Sequence, residues 1–120
     1  YTSRKPPAAW RAELVALGRD GDDGPVILFE GSAPDAAALY PKNLNAGLTV
    51  ALAAGIERTR VRVVADPAVR ENIHEIDVTS AAGRAHLRFE NAPSPHNPKT
   101  SAITAFSLAA TVMRHFGPFQ

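Results

Sequence analysis

His74 is the residue whose type and setting most readily support chemistry. It stands in Asn72-Ile73-His74-Glu75-Ile76, where a two-residue period places it on the same strand face as Ile76 and Val78. Desolvation on such a face lowers an imidazole's pKa and keeps it neutral near pH 7, the state a general base needs. The plainer outcome for a lone histidine on an apolar face is a hydrogen-bonded core residue. Glu75 points to the opposite face and cannot orient it, so Asp66, in the Asp66-Pro67 turn, is the expected partner. The segment Asn97-Pro98-Lys99-Thr100-Ser101 is the second candidate. Asn is a favoured N-cap and Pro suits the first helical position. Lys99 departs from the acidic preference of a first turn. Free backbone N–H groups, the Thr100 and Ser101 hydroxyls and the Lys99 ammonium would suit a carboxylate or phosphate. The same residues also fit a capped helix with Lys99 in solvent. Asn43 and Asn45 open another helix; one can cap it, leaving the other's amide for a ligand. His96 is a further candidate, whereas His86 and His115 read as surface residues. No two histidines share metal-ligand spacing on one element, so no metal site is expected.

These residues need elements to hold them. Residues 1–5 read as a strand stopped by Pro6-Pro7, and 8–17 as a helix with Trp10, Leu14 and Leu17 at helical spacing. Residues 18–24 form a loop; Gly18, Gly21 and Gly24 lack the spacing and the preceding strand of a phosphate loop. Residues 26–29 are a short strand, and Ser32 caps a helix ended by Pro41. Residues 43–54 are a third helix with Leu44, Leu48, Ala51 and Leu52 on one face, closed by Gly55. Residues 60–65 alternate as a half-exposed strand. Residues 72–79 and 84–90 form a hairpin about Ser80-Ala81-Ala82-Gly83, pairing Thr79 with Arg84, Asp77 with His86 and Glu75 with Arg88. Its other face carries His74, Ile76 and Val78 opposite Phe89, Leu87 and Ala85. A last helix over 99–115 is expected to bury Ile103, Phe106, Ala110 and Met113 against that face. The sum is an α+β fold: one mixed, largely antiparallel sheet with helices packed on one face.

The bulk properties agree. The 120 residues make one domain spanning 1–120, and 45% apolar with 21% charged residues is ordinary for a soluble globular chain. A net charge of +1 gives no reason to expect nucleic acid or a membrane as partner. The absence of cysteine excludes disulfides, zinc-thiolate sites and thiol catalysis. With no apolar run of transmembrane length and no signal-peptide pattern, a cytoplasmic location is expected. The first residue is Tyr rather than Met, which suggests part of a longer polypeptide.

Several motifs occur in an order that resembles a known family. Phe29-Glu30-Gly31-Ser32-Ala33, Tyr40-Pro41-Lys42-Asn43-Leu44-Asn45, Ala65-Asp66-Pro67, Asn72-Ile73-His74-Glu75-Ile76 and Glu90-Asn91-Ala92-Pro93-Ser94, with Asn97-Pro98-Lys99-Thr100-Ser101, are similar to the C-terminal domain of L-aspartate dehydrogenase. The resemblance covers nearly the whole chain, Arg4-Lys5-Pro6-Pro7 included. It implies an NAD- or NADP-dependent enzyme that oxidises L-aspartate to iminoaspartate, feeding NAD biosynthesis or hydrolysing to oxaloacetate and ammonia. It implies His74 as the catalytic residue and Asn45, with Asn43, near the nicotinamide; Lys99, Thr100 and Ser101 would then take the dicarboxylic amino acid. It also implies an N-terminal Rossmann domain as partner and a homodimer. No G-x-G-x-x-G follows a strand here, so the dinucleotide-binding half is not among these residues and the chain is not expected to turn over aspartate alone. Two readings compete with this one: a non-catalytic dimerisation or interaction module using the hairpin's charged face, and a related dehydrogenase for another amino acid.

Overall fold

The structure is a computed structural model that describes the backbone of residues 1–95 and 97–116, and the side chains of 1–95, 101–103 and 107–115. Its elements are β1 (Thr2–Lys5), α1 (Arg11–Ala16), β2 (Val26–Ser32), α2 (Ala33–Leu39), α3 (Asn45–Ala54), β3 (Arg60–Ala65), β4 (Asn72–Ser80), β5 (Gly83–Asn91), β6 (Pro93–Ser94), β7 (Asn97–Ser101) and α4 (Ile103–Phe116). A five-stranded sheet runs in the order β2-β3-β1-β4-β5, and β6 and β7 form a small sheet of their own. Only β1 and β3 are parallel; every other pair in the large sheet is antiparallel. The expected α+β architecture with a mixed sheet is therefore the one observed. No helix among the described residues is long and apolar enough to cross a membrane.

Strand registers sort the side chains into two faces. Ser3 pairs with Val63 on one side and with His74 on the other. Alternation then puts Tyr1, Ser3, Lys5, Val61, Val63, Ala65, His74 and Ile76 on one face. Trp10, Leu14, Ala33, Ala36, Leu44 and Ala51 cover the β2-β3-β1 half of that face and complete the buried core. The β4-β5 half stays bare: Leu87 is 43% exposed and Phe89 49%. The opposite face is charged and ion-paired, with Arg4 bridging Asp66 and Glu75, Arg88 bridging Glu75 and Glu90, and Arg62 on Glu30.

Local signals held in most places. Ser32 Oγ accepts from the Asp35 N–H at 3.2 Å and caps α2. Gly55, at φ +106°, ends α3 in a conformation that disfavours a Cβ. The hairpin has the expected register, but Ser80 pairs with Gly83, which shortens the loop to Ala81-Ala82. The left-handed step falls on Gly83 at φ +136°.

Four expectations fail. Residues 97–101 are a strand, not a helix start: Pro93 pairs with Ser101 and Ser94 with Asn97, and α4 begins only at Ile103. A residue before proline favours extended backbone, so Asn97-Pro98 suits a strand as well as an N-cap, and the pairing partner decides. The α3 face is rotated: Leu44, Gly47 and Ala51 are buried, while Leu48 and Leu52 are exposed. Leu44 holds the N-cap position without a side-chain cap bond, so neither Asn43 nor Asn45 caps α3. Small residues let the helix approach the sheet, and the leucines one step round face outward. Finally, α4 does not bury Ile103, Ala110 and Met113 against the hairpin; all three are exposed, Met113 by 72%. Helical spacing identifies an apolar stripe without saying what covers it. The side chain of Phe106 lies outside the described residues.

Candidate functional site: a cationic cleft at the open edge of the helical layer

Where the helical layer stops short of β4 and β5, a cleft of about 490 Å³ opens on the apolar sheet face. That size is typical of small-molecule sites. Tyr1, Lys5 and His74 form its sheet side, Lys42, Asn43, Asn45 and Thr49 the α3 side, and Phe89, Asn91, Ser101 and Ile103 the far wall. Four residues singled out from the sequence, His74, Asn43, Asn45 and Ser101, thus meet in one concavity. The side chains of Lys99, Thr100 and His96 lie outside the described residues.

His74 is half-buried, and its Nδ1 lies 2.6 Å from the Tyr1 hydroxyl oxygen. The two rings stack at 6.0 Å between centroids with a 27° interplanar angle. Burial, and then the nearby Lys5 ammonium, lower the pKa of His74 below the ordinary 6.5 and favour the neutral imidazole. Burial pushes the Tyr1 phenol up to about 12. Asp66 is not the partner of His74. It receives Arg4 Nη1 at 2.7 Å and the Ala68 N–H at 2.9 Å. The register explains this, because Arg4 and Ile73 are paired on the ion-paired face while His74 opposes Ser3 on the other.

The site contains residues that sequence reading did not select. Tyr1 is wedged between His74 and α3: a Cβ built on Gly47 would meet the Tyr1 ring at 2.8 Å, so the absence of a side chain there admits the ring. Lys5 is only 4% exposed, lies over the Trp10 ring at 5.3 Å from Nζ to centroid, and donates to Asn43 Oδ1 at 3.5 Å. Asn72 donates to Ser101 Oγ at 3.3 Å, tying β7 to β4 beside His74. The alternation Tyr1, Ser3, Lys5 was the available signal, but it becomes informative only once β1 is known to lie beside β4. With Lys5 and Lys42 present and no Asp or Glu among its described lining residues, the cleft is electropositive and suited to an anion.

The fold and the cleft define a class: an α+β domain with a mixed sheet and a half-buried histidine in a cationic cleft. A family model described as "Aspartate dehydrogenase, C-terminal" matches residues 1–115, and the chain belongs to that family. It is 52% identical to L-aspartate dehydrogenase 2 of Bordetella pertussis over 99% of this chain and 46% of that protein. It is 41% identical to the L-aspartate dehydrogenase of Methanosarcina barkeri, again over 99% and 46%. Among solved structures it resembles aspartate dehydrogenase from Thermotoga maritima, with a TM-score of 0.69 and 31% identity over 99% of this chain and 44% of that one. The chain therefore spans less than half the length of these relatives.

Proposed function

We propose that this domain is the substrate-binding and catalytic half of an NAD- or NADP-dependent dehydrogenase that oxidises L-aspartate to iminoaspartate, which hydrolyses to oxaloacetate and ammonia. The observation that carries the reading is a histidine held neutral in a cationic cleft beside two asparagine amides. The relatives named for this activity support it. A nicotinamide dinucleotide, bound chiefly by a Rossmann domain outside these 120 residues, supplies the acceptor for the α-hydrogen as hydride. The side-chain amides of Asn45 and Asn43 on the cleft rim match a carboxamide in hydrogen-bonding character, so the residues present fit that group. Alone, the domain does not turn over aspartate.

His74 acts as the base. This role needs the tautomer in which Nδ1 carries the hydrogen of the 2.6 Å contact and donates it to the Tyr1 oxygen. That tautomer leaves the Nε2 lone pair for a proton from the substrate amine, or from the water that attacks the imine. Ser101, with Lys99 and Thr100 on the same strand, belongs to the substrate's side of the cleft. β7 borders the cleft through Ser101, so this residue reaches the cleft from a strand rather than from a helix tip. The setting is a cytoplasmic homodimer, and the surface offered to a second copy is the bare apolar half of the sheet, with Val78, Leu87 and Phe89 beside the exposed stripe of α4. The charged hairpin face is a poorer candidate, since Arg88, Glu75, His86 and Asp77 are paired within the chain.

The test is kinetic. With a dinucleotide-binding domain joined to this chain, His74→Ala lowers kcat by about a hundredfold or more, the usual worth of a general base. A kcat unchanged from wild type between about pH 5 and 8, the range in which an imidazole ordinarily changes charge, removes His74 from the chemistry.

A further inference from the structure

The identity of the cation that receives the substrate is open to inference from geometry. Lys5 and Lys42 both line the cleft. They differ in preparation: Lys42 is exposed on a turn, whereas Lys5 is 4% exposed and held by the Trp10 face and the Asn43 amide. An exposed lysine must be immobilised on binding, while a buried one has already lost that rotamer freedom. A dehydrated ammonium also gains more from an incoming carboxylate than a hydrated one does, because little water is left to displace. Lys5 sits two residues beyond Ser3, the cross-strand partner of His74. It is thus a diagonal neighbour of His74 on the same face, roughly 7–8 Å away along the backbone.

Resting on the dehydrogenase reading above, we infer that Lys5 Nζ is the receptor for a carboxylate of the amino-acid substrate, seated between β1 and the Asn43 turn. A consequence follows for His74. The charged and titratable groups facing it in the cleft are Tyr1 just before β1, Lys5 on β1 and Lys42 before α3; β5 and the described part of β7 contribute Phe89, Asn91 and Ser101, none of them ionic. A carboxylate on Lys5 cancels the cation that opposes imidazolium formation. Binding of L-aspartate therefore raises the pH at which His74 titrates, and occupation of the site is felt by the base.

The experiment is NMR on the full chain titrated with L-aspartate, following the Lys5 Nζ resonance and the His74 ring nitrogens as functions of pH. Expected are a saturable displacement of Lys5 Nζ and an upward shift of the His74 titration midpoint. Lys5→Gln should weaken binding about ten- to hundredfold, the range for a hydrogen bond to a charged group, and abolish the midpoint shift. Lys5→Arg should keep part of both. If L-aspartate moves His74 but leaves Lys5 Nζ still, and Lys5→Gln binds as wild type does, the role of Lys5 is refuted while the substrate-site reading stands. If wild-type His74 does not respond to L-aspartate at all, both fall. The Lys5 Nζ observation needs no variant, so the inference stays exposed to refutation even if Lys5→Gln does not fold.

Discussion

Tyr1→Phe removes the hydroxyl that faces His74 and leaves the ring in place. The ring would remain stacked on His74 and against Gly47, since neither contact involves the hydroxyl. The 2.6 Å bond to Nδ1 is lost, together with the hydroxyl's interaction with Ser3. A hydrogen bond of this kind contributes a net ~0.5–1.5 kcal/mol, and ~1.4 kcal/mol is tenfold in an equilibrium or a rate. If the bond selects the tautomer with a free Nε2, its loss should lower kcat/KM of the domain joined to a dinucleotide-binding domain by roughly two- to twelvefold. The more specific readout is the pair of His74 ring-nitrogen chemical shifts. In the wild type they should report a single tautomer protonated at Nδ1; in Tyr1→Phe they should move towards a mixture. A purely structural role for Tyr1 would reduce stability without altering the nitrogen shifts of the folded protein. Unchanged nitrogen shifts together with an unchanged kcat/KM would refute the assignment of Tyr1 as the positioning residue for His74.

Gly47→Ala should be destabilising even though alanine is favoured in helices by about 0.8–1.0 kcal/mol over glycine. The new Cβ would stand 2.8 Å from the Tyr1 ring, and overpacking of that kind costs about 1–3 kcal/mol. The urea midpoint should therefore fall, and a rise would show that the ring moves aside freely. Acidification gives a separate test. The His74 pKa is lowered in the folded state, so below 6.5 the unfolded chain takes up the proton first and stability is lost as the pH falls from there towards the folded-state value. In His74→Gln that part of the slope should vanish, and an identical pH dependence in urea titrations would contradict the burial argument. Leu87→Glu places a charge on the bare apolar face and should shift a dimer to monomer in sedimentation without altering the monomer's far-UV spectrum. A dimer of unchanged affinity moves the interface elsewhere.

How much of the fold the sequence discloses depends on whether a partner segment is near in the chain. The β4-β5 hairpin is legible because its partners are adjacent and its alternation is unbroken, so Glu75 with Arg88 and Asp77 with His86 could be paired without coordinates. Ser32, Gly55 and Gly83 act through the residues beside them and were equally readable, although the loop at Gly83 is shorter than its composition suggested. The strand β7 is the opposite case. Asn97-Pro98 is compatible with both an extended segment and a helix N-terminus, and what decides is Pro93 and Ser94 pairing back across a short turn. The leucines of α3 fail for a related reason: Leu48 and Leu52 have the hydrophobicity of core residues, but Gly47 and Ala51 have the size that the sheet contact admits.

The same distinction explains which parts of the site were visible. His74 could be found because a basic aromatic residue on an otherwise apolar strand face is a contradiction within a few residues of sequence. Its partners could not, because they depend on β1 lying between β3 and β4, which no local pattern records. That placement makes Tyr1 rather than Asp66 the neighbour of Nδ1, and it puts Lys5 on the floor of the cleft while sending Arg4, one residue away, to the opposite face with Asp66 and Glu75. The two basic residues of Arg4-Lys5 therefore have separate tasks fixed by the pleat. Arg4 ties β1 to the charged face, and Lys5 brings a positive charge into the site. A one-residue slip of β1 against β4 would exchange them, burying the guanidinium beside His74 and breaking both carboxylate pairs. The Arg4–Asp66 and Arg4–Glu75 bridges consequently hold the register on which the electrostatics of His74 depends.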